Sequence, residues 1–374
     1  MVNKKRLVWL TQNLIRINSE NPPGNERKIA EFVSGYLSRF GIRGRIIEFK
    51  KKRSNVLAYL KGRTSQTILL TPHLDTVCAG KNWRHDPFAA RISGDKIYGL
   101  GATDCKGNLA CAIEAINSLV EDKKTPEMSL VFAATADEEC GSGAGLIPLL
   151  EKGIIKPDYA LVLDSDEFNI IITQKGLIHL KVKIEGRRSH GAYPWRGINA
   201  IAIAVKILSE LSGQKARAAS NKYLRPPTIN FGTIRGGDKV NVVADWCEFE
   251  LDFRFLPGTK DSSILAGLEK TVSKYAKDYR IEINDIQDPY FIKADHSLVA
   301  GFDSAMRRRG IRGKIKGSEG ATVITFFQKK DIPAISVGFG SSGCAHTADE
   351  FARISNLYKG AQILEDFLWK GLDS

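Results

Sequence analysis

Apolar residues recur every three or four positions over 4–17 and 26–39. This spacing predicts two amphipathic helices, parted by the breaker Asn21-Pro22-Pro23-Gly24. Short, nearly continuous apolar runs follow at 55–60, 67–71, 129–134, 159–163 and 334–337, with helix-like stretches at 108–120 and 145–152. Buried strands alternating with helices predict an α/β architecture, a sheet covered by helices on both faces. From about Gly176 the texture changes. Residues 178–184 alternate apolar and polar, as a half-exposed antiparallel strand does. A helical run at 199–211, strands at 228–234 and 247–255, a helix at 262–278 and a strand at 280–283 complete a self-contained unit. The expected organisation is one mixed-sheet α/β domain made of 1–175 and 288–374. Residues 176–287 form an inserted α+β domain, hinged at Gly176 and at the Gln287-Asp288-Pro289-Tyr290 turn.

Composition adds limits. With 374 residues, 43% hydrophobic and 26% charged, the chain reads as globular rather than disordered. Met1-Val2-Asn3-Lys4-Lys5-Arg6 runs straight into the first amphipathic stretch, and no apolar run approaches a membrane span, so neither a signal peptide nor a membrane segment is expected. The six cysteines, at 78, 105, 111, 140, 247 and 344, lack paired spacing and are expected as reduced thiols in a cytoplasmic protein. The net charge of +13 raises a nucleic-acid partner. Its lysines and arginines are dispersed, however, without zinc-knuckle spacing or aromatic interleaving. No nucleic acid is expected; a basic surface that attracts anionic small molecules is.

The chemistry gathers where strands end. In open α/β sheets, ligands collect beyond the carboxyl ends of the strands. The run 67–71 leads to His73 and Asp75, 129–134 to Glu138 and Glu139, 159–163 to Asp164, and 334–337 through a glycine loop to His346. Asp104 stands just before the helix at 108. Singly, each has a plain structural reading: a packed histidine, a helix cap, a turn aspartate. Together at one sheet edge, the carboxylates would repel one another unless a cation neutralised them. Two histidines and three carboxylates suit zinc, and five ligands exceed the usual three of one open catalytic ion. They fit two ions sharing a carboxylate. Asp75 is placed to hold the other N–H of the His73 ring.

The stretches His73-Leu-Asp-Thr-Val77, Tyr98-Gly-Leu-Gly-Ala-Thr-Asp-Cys-Lys-Gly107, Asp137-Glu-Glu-Cys-Gly141, Arg188-Ser-His-Gly-Ala-Tyr-Pro194 and Ala345-His-Thr-Ala-Asp-Glu350 occur in this order across nearly the whole chain. They resemble the zinc-dependent amidohydrolase family of acetylornithine deacetylase, succinyl-diaminopimelate desuccinylase, aminoacylase and the glutamate carboxypeptidases. The resemblance implies a di-zinc, exopeptidase-like catalytic domain interrupted by a lid that forms a homodimer. It implies that Asp104 bridges two Zn2+ ions (Co2+ or Mn2+ as substitutes), with His73 and Asp164 completing one site and Glu139 and His346 the other. Glu138 matches the catalytic carboxylate, His190 a lid histidine that reaches the partner subunit's site, and Asn241 and Arg254 lid positions for substrate contact. A loop cap for Asn241 and a strand ion pair for Arg254 are the structural alternatives.

Two departures matter. Cys105 replaces the family's usual methionine after the bridging aspartate. Asp164 stands where the deacylases usually have glutamate, and Asp166 and Glu167 close by offer the same chemistry. The implied reaction is amide cleavage of a small substrate, foremost an N-acyl amino acid or diamino acid. A small-peptide exopeptidase is the alternative that Asp164 favours. Gly338-Phe-Gly-Ser-Ser-Gly343 fits a dinucleotide fingerprint, but no second strand of a βαβ unit follows. Cys105, Cys140 and Cys344, all near proposed ligands, are expected as buried, inert thiols.

Overall fold

The computed structural model describes residues 1–213 and 221–372. The chain forms two compact units, one of Met1–Ile172, Ile292–Lys316 and Thr322–Ser374, the other of Thr173–Phe291 and Gly317–Ala321. The sequence pattern groups 317–321 with the outer portion, whereas these residues cluster with the inserted one. The reason is local: the Lys175 N–H donates to the Ser318 carbonyl at 3.2 Å, and the Glu319 carboxylate lies 2.6 Å from the buried Lys175 amine.

The first unit opens with α1 (Lys4–Arg16) and α2 (Arg27–Ser38), then β1 (Arg45–Lys50), β2 (Arg53–Leu60) and β3 (Thr67–Thr71). Next come β4 (Arg91–Ser93), β5 (Lys96–Tyr98), α3 (Lys106–Glu121), β6 (Ser129–Ala134), α4 (Leu146–Glu151), β7 (Tyr159–Val162) and β8 (Ile170–Gln174). The inserted elements are β9 (Gly176–Glu185), α5 (Ala200–Gly213), β10 (Thr228–Gly236), β11 (Trp246–Phe255), α6 (Asp261–Tyr275), β12 (Tyr279–Gln287) and β13 (Tyr290–Phe291). The chain finishes with α7 (Ser297–Arg308), β14 (Ile315–Ser318), α8 (Thr325–Gln328), β15 (Ala334–Val337), β16 (Phe351–Arg353) and α9 (Ile354–Lys370).

In the first unit the sheet runs β1-β2-β6-β3-β7-β15-β8. Its centre is parallel and its flanks antiparallel. Leu70 pairs with Phe132, Thr71 with Val162, and Ser336 with Val162, so β3, β6, β7 and β15 end together at one edge. Their side chains are almost wholly buried, which is why these strands read as continuous apolar runs. Helix α3 is buried along 106–119 and packs against both α1 and α9. Leu10, Leu14, Leu109, Ile113 and Leu364 are fully buried there, each contributing about 1.5–3 kcal/mol through area removed from water. No helix among the described residues is long and apolar enough to cross a membrane.

The second unit is a four-stranded antiparallel sheet, β10-β11-β9-β12. Ile178, Leu180, Val182 and Ile184 of β9 join Cys247, Phe249, Leu251, Phe253 and Phe255 of β11 in a core with residues of α5 and α6. The alternate positions, His179, Lys181 and Lys183, are at least partly exposed. That is the period of two read from the sequence. Strand β10 is a sheet edge, and most of its side chains face solvent.

Candidate metal centre and active site

Each ligand candidate follows a central strand or stands on the loop that enters α3. His73 and Asp164 each stand two residues beyond their strands, β3 and β7. Glu138 and Glu139 begin a 3-10 turn after β6, and His346 lies in the loop after β15. Asp104 ends the loop into α3. It does not cap that helix: the cap residue is Cys105, and no side chain closes the helix start.

The shared edge brings the five together. Asp104 Oδ1 lies 2.9 Å from His73 Nε2, and its Oδ2 lies 3.1 Å from His346 Nε2. Asp164 Oδ1 is 3.8 Å from His73 Nε2, and Glu139 Oε2 is 3.2 Å from His346 Nε2. Two triads result, His73/Asp104/Asp164 and Asp104/Glu139/His346, each with ligand atoms within 4.8 Å of one another. Tetrahedral ligands bound at 2.0–2.2 Å would stand about 3.4 Å apart, so both triads match the size of a small divalent cation. Asp104 gives one oxygen to each triad, the arrangement of a bridging carboxylate.

The electrostatics agree. Burial, and then the neighbouring Asp104, push the Asp164 carboxyl up to about 6. Burial and Asp164 push Glu138 well above the usual carboxylate range. Hydrogen bonding to Asp104 and Glu139 raises His346 to about 10. Burial opposes ionisation of Asp104, but hydrogen bonds with His346 and His73 hold it below its ordinary value. Protons held on imidazoles and acids are what balance the crowded charge, a role that two divalent ions would take over.

Supporting groups set the geometry. The sequence reading puts the Asp75 carboxylate on the His73 ring. Instead, the main-chain oxygen of Asp75 lies 2.9 Å from Nδ1, and its carboxylate stands off at 3.7 Å. That carboxylate accepts the Glu138 and Glu139 N–H groups, both at 3.1 Å. Glu350 was given no role by the motifs, although it sits four residues past His346. Its buried carboxylate accepts the N–H groups of Gly101 at 2.9 Å, Thr103 at 2.8 Å and Asp104 at 3.0 Å. It thereby fixes the loop that presents Asp104. A buried acid in a loop has no periodicity to betray it; its nearness in sequence to His346 was the only signal. Glu350→Ala orphans three amides and is expected to destabilise the protein by about 3 kcal/mol, read by denaturant unfolding. An unchanged midpoint would refute this role.

The remaining candidates lie in the second unit. His190 and Asn241 are exposed neighbours: the Gly191 N–H donates to the Asn241 carbonyl at 2.8 Å, and His190 bridges to Val242. Arg254 donates from Nε and Nη2 to the Asp252 carboxylate, at 2.8 and 3.1 Å. It stands eight residues along β11 from Trp246, whose end of the strand adjoins the His190 loop. That is roughly 26 Å. Within one chain, therefore, the structure pairs His190 with Asn241 and sets Arg254 apart.

The other motifs resolve simply. Cys105 is buried, and burial pushes its thiol up to about 12, as an inert residue should be. Cys140 is exposed and Cys344 half-buried, so the expectation of burial fails for both, because both sit on loops outside the core. In the glycine loop, a Cβ on Gly338 would meet the Ser165 carbonyl oxygen at 1.6 Å, and one on Gly340 would strike Thr103. Those glycines let the loop lie against the segments that carry Asp164 and Asp104.

This geometry has relatives. Acetylornithine deacetylase from Photorhabdus laumondii is 31% identical over 84% of this chain and 82% of its own length, and that from Aliivibrio salmonicida is 30% identical over 96% and 95%. The crystal structure of aminopeptidase PepT from Bacillus cereus superposes with a TM-score of 0.82 at 22% identity, covering 98% of each chain. Residues 69–370 match the model of peptidase family M20/M25/M40. That span takes in every ligand candidate from His73 to His346, and the chain is a hydrolase belonging to the M20/M25/M40 family.

Proposed function

We propose that the protein is a di-zinc amidohydrolase that removes the acyl group from an N-acyl amino acid or diamino acid, as acetylornithine deacetylases do. The observation that carries this reading is Asp104, whose two oxygens face two different imidazoles, each with a further carboxylate beside it. When bound, the two ions supply a nucleophilic water at neutral pH and polarise the scissile carbonyl. Glu138 takes the proton of that water and passes it to the leaving nitrogen. Asp75 keeps the His73 ring and the Glu138 and Glu139 amides in place. His190 Nδ1 accepts the Ala192 N–H at 3.0 Å, so the ring proton sits on Nε2, ready to donate to the developing oxyanion. Asn241 contacts the substrate beside it. Among the described residues Arg254 gives Nε and Nη2 to Asp252, which leaves Nη1 for a substrate carboxylate.

The eight residues of β11, roughly 26 Å, between Trp246 beside the His190 loop and Arg254 support a homodimer, in which His190 and Arg254 serve one site from different subunits. The open edge of β10, with Phe231 and Ile234 exposed, and the exposed Ile201 and Val205 of α5 supply an apolar face for it. A cytoplasmic location accords with six free thiols. A small-peptide exopeptidase is the second reading, favoured by aspartate rather than glutamate at 164. Zinc-reconstituted enzyme, assayed against N-acetylornithine, N-succinyl-diaminopimelate, N-acyl amino acids and dipeptides, is expected to turn over an acylated amino acid fastest. Cobalt and manganese are expected to substitute. Exclusive turnover of peptides with a free N-terminus would overturn the deacylase reading.

A further inference from the structure

A buried set of polar groups holds the turn that carries Glu138 and Glu139. Asn21 Nδ2 donates to Asp75 Oδ2 at 2.8 Å and to Asp137 Oδ1 at 3.3 Å. Arg53 Nη2 lies 2.8 Å from Asp137 Oδ1 and 2.6 Å from Glu26 Oε1. Glu26 in turn accepts the Asp137 N–H at 3.3 Å, and Asp137 Oδ2 accepts the Ala144 N–H at 2.9 Å. Asn21, Glu26, Arg53, Asp75 and Asp137 are all at most 9% exposed.

Three carboxylates against one guanidinium are an expensive thing to bury, and apolar packing would serve the fold as well or better. Asp137 also adopts a left-handed φ of 68°, which costs of order 1 kcal/mol for a residue with a side chain. What the set achieves is placement. The Asp75 carboxylate holds the amides of the proposed general base and of a proposed ligand. Among the described residues, Asn21 is the only neutral donor that joins this carboxylate to that of Asp137. Its own backbone is anchored independently, by its N–H on the Thr76 carbonyl at 2.7 Å. Trimming the side chain therefore leaves the chain path intact.

We propose that Asn21 is a positioning residue of the metal centre: by bridging Asp75 and Asp137, it sets where the Glu139 carboxylate meets the cation shared with Asp104 and His346. The inference rests on the ligand assignment above. The test is zinc competition between a chromophoric chelator and the metal-free protein, for wild type, Asn21→Ala, Asn21→Asp, His346→Ala and His73→Ala. The two ligand variants identify which class of zinc site belongs to which triad. Asn21→Ala is expected to weaken the His346 class about tenfold or more and leave the His73 class nearly unchanged. Its metal-free form, with two buried carboxylates short of a donor, should melt somewhat lower but still cooperatively, and kcat should fall more than KM changes. Asn21→Asp, which sets a third carboxylate against two, is expected to weaken that class further. Equal weakening of both classes, or no weakening of either, overturns the proposal. If neither His346→Ala nor His73→Ala weakens any zinc site, the ligand assignment falls and takes the inference with it.

Discussion

Glu138→Ala is expected to lower kcat by about 10²–10⁴ while the protein still takes up two zinc ions per chain. The side chain belongs to neither triad, so its loss removes no ligand. It does stand among Asp164, His73, Glu139 and Asp104, close enough for each to shift its acidity. Metal content by atomic absorption and steady-state kinetics check both halves together. Near-normal turnover with full metal would remove Glu138 from the mechanism, and loss of metal would make it a ligand instead. The same variant tests the dimer. Mixed with inactive His190→Ala chains, it should regain activity, because a hybrid holds one site with both groups intact; no recovery would count against donation across subunits.

Stripping the metal with a chelator is expected to abolish turnover, and adding zinc back to restore it. Uptake should release protons. In the metal-free protein, the hydrogen bonds that His346 donates to Asp104 and Glu139 raise it to about 10, so near pH 7.5 this imidazole is protonated. Its nitrogen becomes a ligand only after that proton leaves. Binding should therefore tighten as pH rises towards 10 and weaken as it falls. Calorimetry in buffers of different protonation enthalpy counts the protons. The loaded protein should also melt higher, by about 4 kcal/mol at a free zinc concentration a thousand times the dissociation constant. Full activity after exhaustive chelation, or uptake without proton release, would contradict the site as described.

Much of this was legible in the order of residues. The runs 67–71, 129–134 and 334–337 coincide with β3, β6 and β15, because strands buried on both faces must be apolar throughout. Likewise the alternation at 178–184 lies within β9, where one face meets the core and the other water. Shorter or more polar elements escaped. β1, β4, β5 and β16 are partly exposed or three residues long, and β8 has only three consecutive apolar residues before Thr173 and Gln174.

For the site, the sequence alone determined the chemical inventory: which carboxylates and imidazoles stand at strand ends, and that so many acids at one edge call for cations. It could do so because the carboxyl ends of parallel strands share an edge in any such sheet. Only the tertiary structure decided the pairings. That Asp104 divides its two oxygens between His73 and His346, and that Asp75 turns its carboxylate to backbone amides, are settled by loop paths that no local pattern encodes. Asn21, Arg53 and Glu350 reach the centre from 54, 84 and 246 positions away from Asp75, Asp137 and Asp104. Contacts made across such separations depend on how the whole chain packs.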